Sequence, residues 1–323
     1  MKASARLSAL LAILSALTCA GAAFAQGYPN RPIRVVVPWP PGQATDLAAR
    51  MVSEKLVPVL GQPLVMDNKP GAGGTIASEA ASKTPADGYT LLAASSGPIS
   101  ISPNVQKVPY DPLKDFAPIS LFAVNPYVLV VHPSIPAKNV KELIALLRAN
   151  PGKYSFSSSG SGASSHLSSV LFNSMANVNA VHVPYKGSSP SVTDLVSGQV
   201  AYTIETVPGV ITFVKAGRLR ALAVSTAKRS TAMPELPTIA DELPGYEMSG
   251  WIGLMAPAGI PREISERLSR EVRKVLEIPE IKERFLALGL EPAGNTPEEY
   301  AEFLKRQNDR YAAIVKQAGL KLD

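Results

Sequence analysis

Two periodicities alternate along this chain. The branched apolar run Ile33–Val37 has the character of a strand buried on both faces. Asp46–Leu60 reads as a helix ending at Gly61, Leu64–Met66 as a short strand, Gly74–Ser82 as a helix and Tyr89–Ala94 as a strand. Such alternation predicts βαβ units, and so a mostly parallel sheet with right-handed crossovers. Two more apolar strands, Ile119–Val124 and Tyr127–Val131, precede a helix whose start is marked by Asn139, with Glu142 three residues on. Val140, Leu143, Ile144 and Leu147 give that helix one apolar face, and Asn150-Pro151-Gly152 ends it. Short strands then recur at Tyr154–Ser157, Ala180–Val183, Val200–Ile204 and Ala221–Val224.

The last third has a different rhythm. Trp251–Ala256 reads as a strand, and from Pro261 the pattern is almost wholly helical. Ile264, Leu268, Val272, Val275 and Leu276 share a face, and Thr296-Pro297-Glu298-Glu299 marks a further helix start. No internal sequence repeat is visible. These patterns predict an α/β protein of two lobes, 26–125 plus 249–323 forming the first and 126–248 the second. The terminal helices return to the first lobe. The chain then crosses near Asn125-Pro126 and near Met248–Gly250, and two crossings beside a cleft predict a hinge.

The N-terminus changes the setting. Lys2 and Arg6, the apolar run from Leu7 to Leu17 and Ala23-Phe24-Ala25 have the layout of a secretory signal peptide over residues 1–25. A periplasmic protein is therefore expected. Cys19 is the only cysteine and lies inside that segment. A lipid anchor there is the alternative, although Ala16-Leu17-Thr18 fits an attachment site poorly. Either way the mature chain has no disulfide and no thiolate metal site.

The formal charge of +6 is spread thinly, with no basic cluster longer than Lys228-Arg229, and aromatics are 6% of residues. Nucleic-acid binding is not expected. His132, His166 and His182 lack metal-ligand spacing, there is no G-x-S-x-G elbow, and Gly71-Ala72-Gly73-Gly74 matches a dinucleotide fingerprint only loosely. No cofactor, no metal and no enzymatic activity are expected.

In open α/β sheets ligands sit where loops leave strand ends and meet helix N-termini. Four loops have that place: Pro38–Asp46, Ser95-Ser96-Gly97, Ser157–His166 and Glu205-Thr206. The third offers hydroxyls, and glycines that allow close backbone approach, a donor set suited to a carboxylate or small phosphate. The plainer reading is a flexible serine turn. His166 beside these serines also leaves open a nucleophile and base, against the commoner role of a helix-packing histidine.

Several segments together resemble the Bug-type extracytoplasmic solute receptors of tripartite tricarboxylate transporters. They are Pro38–Asp46, Asp67–Gly74, Asp87–Leu92, Tyr110-Asp111-Pro112, Gly160–His166, His182–Gly187, Lys215–Val224 and Pro244-Gly245-Tyr246, in that order across nearly the whole mature chain. The resemblance implies a type II periplasmic binding-protein fold, two lobes joined by two crossover strands with a ligand cleft between them. It implies a carboxylated organic solute as ligand, membrane permease subunits as partners, and a monomer.

Carried over by position, it implies ligand contacts from Trp39, Gln43, Ala44, Thr45, Asp46, Ser95 and Ser96 in the first lobe. In the second it implies Ser159, Gly160, Ser161, Ala163, Ser164, Ser165, Tyr185 and Glu205. Asp46 either nears the ligand or caps its helix; Tyr185 either lines the cleft or packs beneath it. The chain has Trp39 and Gln43 where the family usually has Phe and a second Gly, and Glu205 where Asp is frequent. A sensor that presents the same solute to a membrane signalling protein needs the same cleft.

Overall fold

The computed structural model describes residues 27–230 and 233–320. The signal-peptide segment and Cys19 lie outside the described residues. The chain opens with β1 (Ile33–Val37), α1 (Ala44–Leu60), β2 (Leu64–Asn68), α2 (Thr75–Ser82), β3 (Thr90–Ser95) and a short α3 (Ser102–Val105). A long strand, β4 (Phe116–Val131), leads into α4 (Val140–Ala149), β5 (Ser155–Ser158), α5 (Ser164–Ala176), β6 (Val181–Pro184), α6 (Ser188–Val196), β7 (Tyr202–Thr206), α7 (Val207–Lys215) and β8 (Arg220–Val224). The return runs through β9 (Ser249–Pro257), α8 (Arg262–Glu277), α9 (Pro279–Ala287), β10 (Glu291–Pro292) and α10 (Pro297–Ala318).

The strand order is the same in both halves. β1 pairs in parallel with β2 and β3, and β9 lies antiparallel between β3 and β4, giving β2-β1-β3-β9-β4. In the second half β5 pairs in parallel with β6 and β7, and β4 lies antiparallel between β7 and β8, giving β6-β5-β7-β4-β8. The repeat is one of topology alone, which is why no sequence repeat announced it. Two parallel lobes, each with one antiparallel strand borrowed from the crossing, make up the type II binding-protein arrangement.

Burial on both faces explains the unbroken apolar strands. Val35 and Val37 of β1 pack among α1 and α8 (Ala48, Val52, Leu56, Leu268, Val272), while Val36 faces the other way toward Ala77 and Ala81 of α2. In the second half Val128 and Val130 of β4 meet α6 and α7 through Val192, Leu195, Val207 and Val210. Leu129 and Val131 meet Leu143 and Leu147 of α4 and Leu167 and Leu171 of α5. Alternate side chains of one strand thus anchor opposite helical layers.

The crossing differs from the sequence expectation. Ile119–Val124 and Tyr127–Val131 are one strand, not two: Asn125-Pro126 looked like a break, but β4 continues through it and changes partners there. The missing proline N–H falls at that change of partner, where a ladder tolerates it. β9 begins at Ser249, opposite Pro126, so the two crossings lie side by side. Ser225 ties the junction, its Oγ accepting from Tyr127 N at 2.9 Å and donating to Met248 O at 2.5 Å. The capping predictions for α4 and α10 match the structure: Glu142 N donates to Asn139 Oδ1 at 2.8 Å, and Thr296 and Glu299 form a reciprocal box. α10 returns to the first-lobe strands and also packs along α5.

Candidate ligand-binding site

The first jaw is the loop between β1 and α1. Gly42 takes a φ of +83°, a conformation that glycine adopts without steric cost, and turns the chain into the helix. No side chain caps α1 from Gln43. Instead Asp46 reaches back from within the first turn, accepting from Gly42 N, Arg50 Nε and Asn68 Nδ2, each at 2.9 Å. Burial opposes ionisation of this carboxyl, but the bonds from Arg50, Asn68 and Gly42 outweigh it and hold Asp46 below the usual carboxylate range. Trp39 is buried within the jaw, its Nε1 donating to Ser95 Oγ at 2.9 Å.

The second jaw, between β5 and α5, occupies the equivalent place in its lobe. Here too α5 starts without a side-chain cap, from Ala163. Ser159 N and Oγ both bond Ser165 Oγ, at 3.0 and 2.8 Å. Beneath the loop two histidines stack, His166 on His182, with ring centres 3.8 Å apart and planes 12° from parallel; Phe156 stacks on His182 at 4.9 Å. Gly162 N donates to His166 Nδ1 at 3.3 Å, and Ser158 Oγ bonds His182 Nε2 at 2.6 Å. Burial, with the neighbouring His182, pushes His166 down to about 3, and burial pushes His182 down to about 4. Both rings are therefore neutral at physiological pH and serve as a floor for the serine loop.

The jaws close on a cavity of about 30 Å³, room for a water molecule or two. Trp39, Gln43, Ala44, Thr45, Ser95 and Ser96 line it from the first lobe. Ser159, Ser164, Ser165, Glu205 and Thr206 line it from the second. Ser96 and Ser164 share a hydrogen bond across the gap at 2.9 Å, and Ser188 N donates to Gln43 Oε1 at 3.4 Å. Among the described residues that line it, none is Lys, Arg or His, and Glu205 is the single acid.

Glu205 Oε1 accepts from Thr206 N at 2.8 Å, but Oε2 finds no hydrogen-bond partner among the described residues. Burial pushes its carboxyl up to about 7. Asn125 Oδ1, Thr206 Oγ1, Trp251 Nε1 and the adjacent Ser188 Oγ are likewise buried without a partner. Such groups are costly to bury unless something else satisfies them, so their convergence on one cavity marks a polar ligand site. Among the described residues no group of three or more His, Cys, Asp or Glu can hold a metal ion.

Five expected contacts fall elsewhere. Asp46 lies behind the jaw and braces it, the capping alternative, because its oxygens are consumed by three donors. Gly160, Ser161 and Ala163 face the first lobe's 71–74 turn: a Cβ on Gly73 would stand 2.5 Å from Ser161 O and 3.4 Å from Ala163 N. Those glycines let the lobes touch backbone to backbone. Tyr185 does not reach the cavity; its hydroxyl donates to Asp194 Oδ2 at 2.5 Å, since β6 is an edge strand at the side of the lobe. The nucleophile-and-base reading of His166 finds no support, because its Nδ1 is occupied by a backbone donor and its ring is stacked.

Sequence reasoning missed Asn125, Tyr127, Trp251 and Ile252, which line the cavity from the crossing strands, and gave Thr206 only as part of a loop. The signal was present in the two crossings: strands that bridge lobes beside a cleft must show the cleft one face.

The tripartite tricarboxylate transporter family receptor model matches residues 48–320. Protein BugT of Bordetella pertussis (strain Tohama I) is 38% identical over 301 residues, 92% of each chain. An R. palustris protein solved with adipate has a TM-score of 0.88 and 36% identity, covering 91% of this chain and 99% of its own. MatC from Rhodopseudomonas palustris with bound malate has a TM-score of 0.85 and 29% identity, covering 89% of this chain and all of its own. The jaws, the crossing strands and these likenesses agree: the chain belongs to the tripartite tricarboxylate transporter family of receptors, the solute receptors of the Bug type.

Proposed function

We propose that this protein is a periplasmic receptor that captures a small dicarboxylate between its lobes and presents it, as a monomer, to the permease subunits of a tripartite tricarboxylate transporter. One observation carries the reading. The helices that face each other across the cavity, α1 and α5, both begin without a side-chain cap and line the cavity with their first residues, Ala44 and Thr45, Ser164 and Ser165. Two helix starts at the surface, by contrast, are capped, by Asn139 and by Thr296, while α8 begins at Pro261 without a cap but far from the cavity. Uncapped first-turn N–H groups and the positive ends of two helix dipoles suit an anionic oxygen without any arginine. A dicarboxylate is favoured over other acids because two relatives of the same fold hold adipate and malate.

The closed cavity is smaller than an organic acid, so the lobes part to admit the solute. Lobe boundaries at 26–125 plus 249–323 and at 126–248 put the hinge at the Pro126–Ser249 pairing, with Ser225 as its tie. Residues 1–25 serve as the export signal, and the mature chain begins at Gln26.

Thermal unfolding with a panel of dicarboxylates, aromatic acids, amino acids, neutral sugars and metal ions tests the reading. A cognate acid at a hundred times its Kd adds about 2.7 kcal/mol of stability. If a sugar or a metal ion raises Tm and no carboxylate does, the reading fails.

A further inference from the structure

Glu205 is the one ionisable acid facing the cavity, and its surroundings are unlike those of a carboxylate kept for its charge. A Cβ placed on Gly209 would lie 2.6 Å from Ser188 Oγ, 3.3 Å from Glu205 Cγ and 3.4 Å from Thr206 Oγ1. The three side chains thus converge on one spot, and each contributes a buried oxygen with no partner among the described residues. Among the described residues no cation lines the cavity to balance a charge there.

We infer that Glu205 engages the solute as a neutral acid, donating its proton in a hydrogen bond to the second carboxylate, so that in alkaline solution binding a dicarboxylate takes up one proton from solvent. This rests on the dicarboxylate-receptor reading above. The helix starts of the two jaws receive one carboxylate. A second carboxylate held between the same jaws comes to lie beside Glu205, the acid of the lining, and two buried carboxylates without a cation cannot both stay ionised. A shared proton resolves the conflict. The same proton turns the cluster into three donors, the acid and the Ser188 and Thr206 hydroxyls, which is the set a carboxylate needs.

The other groups around Glu205 leave this proton to it. Tyr127 of β4 is the other titratable side chain lining the cavity; burial pushes it up to about 12, so it does not compete near neutrality. The remaining neighbours, Gln43 from α1, Ser164 and Ser165 from α5, Ser188 from α6, Thr206 at the start of α7 and Trp251 of β9, do not titrate in this range. Before binding, Glu205 already holds its proton up to about pH 7. The second carboxylate raises that point further, and the linkage follows: dicarboxylate affinity is flat below about pH 7 and falls about tenfold for each pH unit above it.

Isothermal titration calorimetry with adipate and with malate, each in two buffers of different ionisation enthalpy, reads the proton directly on the wild-type protein. At pH 8 the expected uptake is close to one proton per ligand, with affinity about tenfold weaker than at pH 6.5. Glu205→Gln, which imitates the neutral acid, is expected to abolish the uptake, flatten the pH profile and bind about tenfold more tightly than wild type at pH 8. If a dicarboxylate binds without proton uptake and without pH dependence, the inference falls while the receptor reading stands. If acids bearing an amino group bind instead and Glu205→Gln loses them, Glu205 works as an anion and the inference falls likewise. If no carboxylate binds at all, the receptor reading falls with it.

Discussion

Asp46 in the first jaw and Glu205 in the second are equally buried, each about 1% exposed. They titrate in opposite directions. Asp46 has three donors, one of them the Arg50 guanidinium, and is held below its ordinary range. Glu205 has one backbone donor, Thr206 N, and only the neutral Thr206 and Ser188 hydroxyls beside it, and burial pushes it up to about 7. Burial pushes both carboxyls up; what differs is whether partners, a guanidinium among them, outweigh it. The contrast runs through both jaws. The first is braced from behind by an ion-paired carboxylate and stiffened by Pro38, Pro40 and Pro41. The second rests on neutral stacked rings and is tied by serine hydroxyls.

Acid should separate the jaws most widely. His166 and His182 are neutral in the folded protein down to about 3 and 4, whereas an unfolded histidine takes a proton near 6.5. Below that point the unfolded state binds protons that the native state refuses, so stability is lost as pH falls from 6.5. At pH 5 the loss is about 2 kcal/mol for His166, and less for the half-buried His182, where solvent screens the charge. Asp46 works with the opposite timing: its contribution is intact above its unfolded value of 3.8 and disappears only below it. Hydrogen exchange at pH 5 should therefore show residues 155–166 loosened relative to pH 7 while residues 38–50 stay protected. Equal loosening of both jaws would break the distinction.

Conservative amides should move stability in opposite directions at pH 8. Asp46→Asn leaves Gly42 N, Arg50 and Asn68 competing for one acceptor oxygen, and is expected to cost about 2 kcal/mol in urea unfolding. Glu205→Gln removes a carboxyl whose ionisation is penalised in the native state. A raised native value means that the native state binds more protons than the unfolded one between about 4.5 and 7, so wild-type stability falls as pH rises through that range. The amide escapes this fall and should gain about 1 kcal/mol or more at pH 8, an advantage that disappears in acid as the pH drops below about 4. A loss for both variants at pH 8 would mean that Glu205 is stabilised by partners, as Asp46 is.

What the sequence made legible follows from which interactions are local. The apolar strands and the helix starts at Asn139 and Thr296 could be read because a strand's burial and a cap's bonds lie within a few residues. The loops that form the jaws were legible too, from turn chemistry next to a helix start. The fused strand β4 was not, because Asn125-Pro126 breaks a strand on local rules and only the partners 249 and 250, distant in sequence, hold it extended. Asn125, Tyr127, Trp251 and Ile252 were missed for the same reason, their role being set by the pairing of two remote segments. The closing glycines were misassigned in a related way. Gly160 looked like ligand-approach backbone, yet what approaches is Gly73 of the other lobe, with a Cβ-to-N distance of 3.2 Å.

The smallest effect is expected at Tyr185, the expected contact that the fold carries furthest to one side. Its hydroxyl donates to Asp194 and lies outside the cavity, so its bond belongs to the flank of the second lobe and not to either jaw. Burial, with Asp194 beside it, pushes the phenol up to about 12, which keeps it a donor throughout the physiological range. Tyr185→Phe removes one partly solvated hydrogen bond and leaves the ring in place. The cost should be about 0.5 kcal/mol or less, since water can satisfy Asp194 instead. Ligand affinity should stay within about twofold of wild type, because no group that lines the cavity has lost a partner. The comparison of the jaws gives this variant its use. If Tyr185→Phe weakened binding tenfold, closure would draw β6 inward and the second jaw would be larger than the serine loop and Glu205. If stability and affinity both hold, the second jaw ends at the residues that face the cavity, and Tyr185 serves the lobe that carries them.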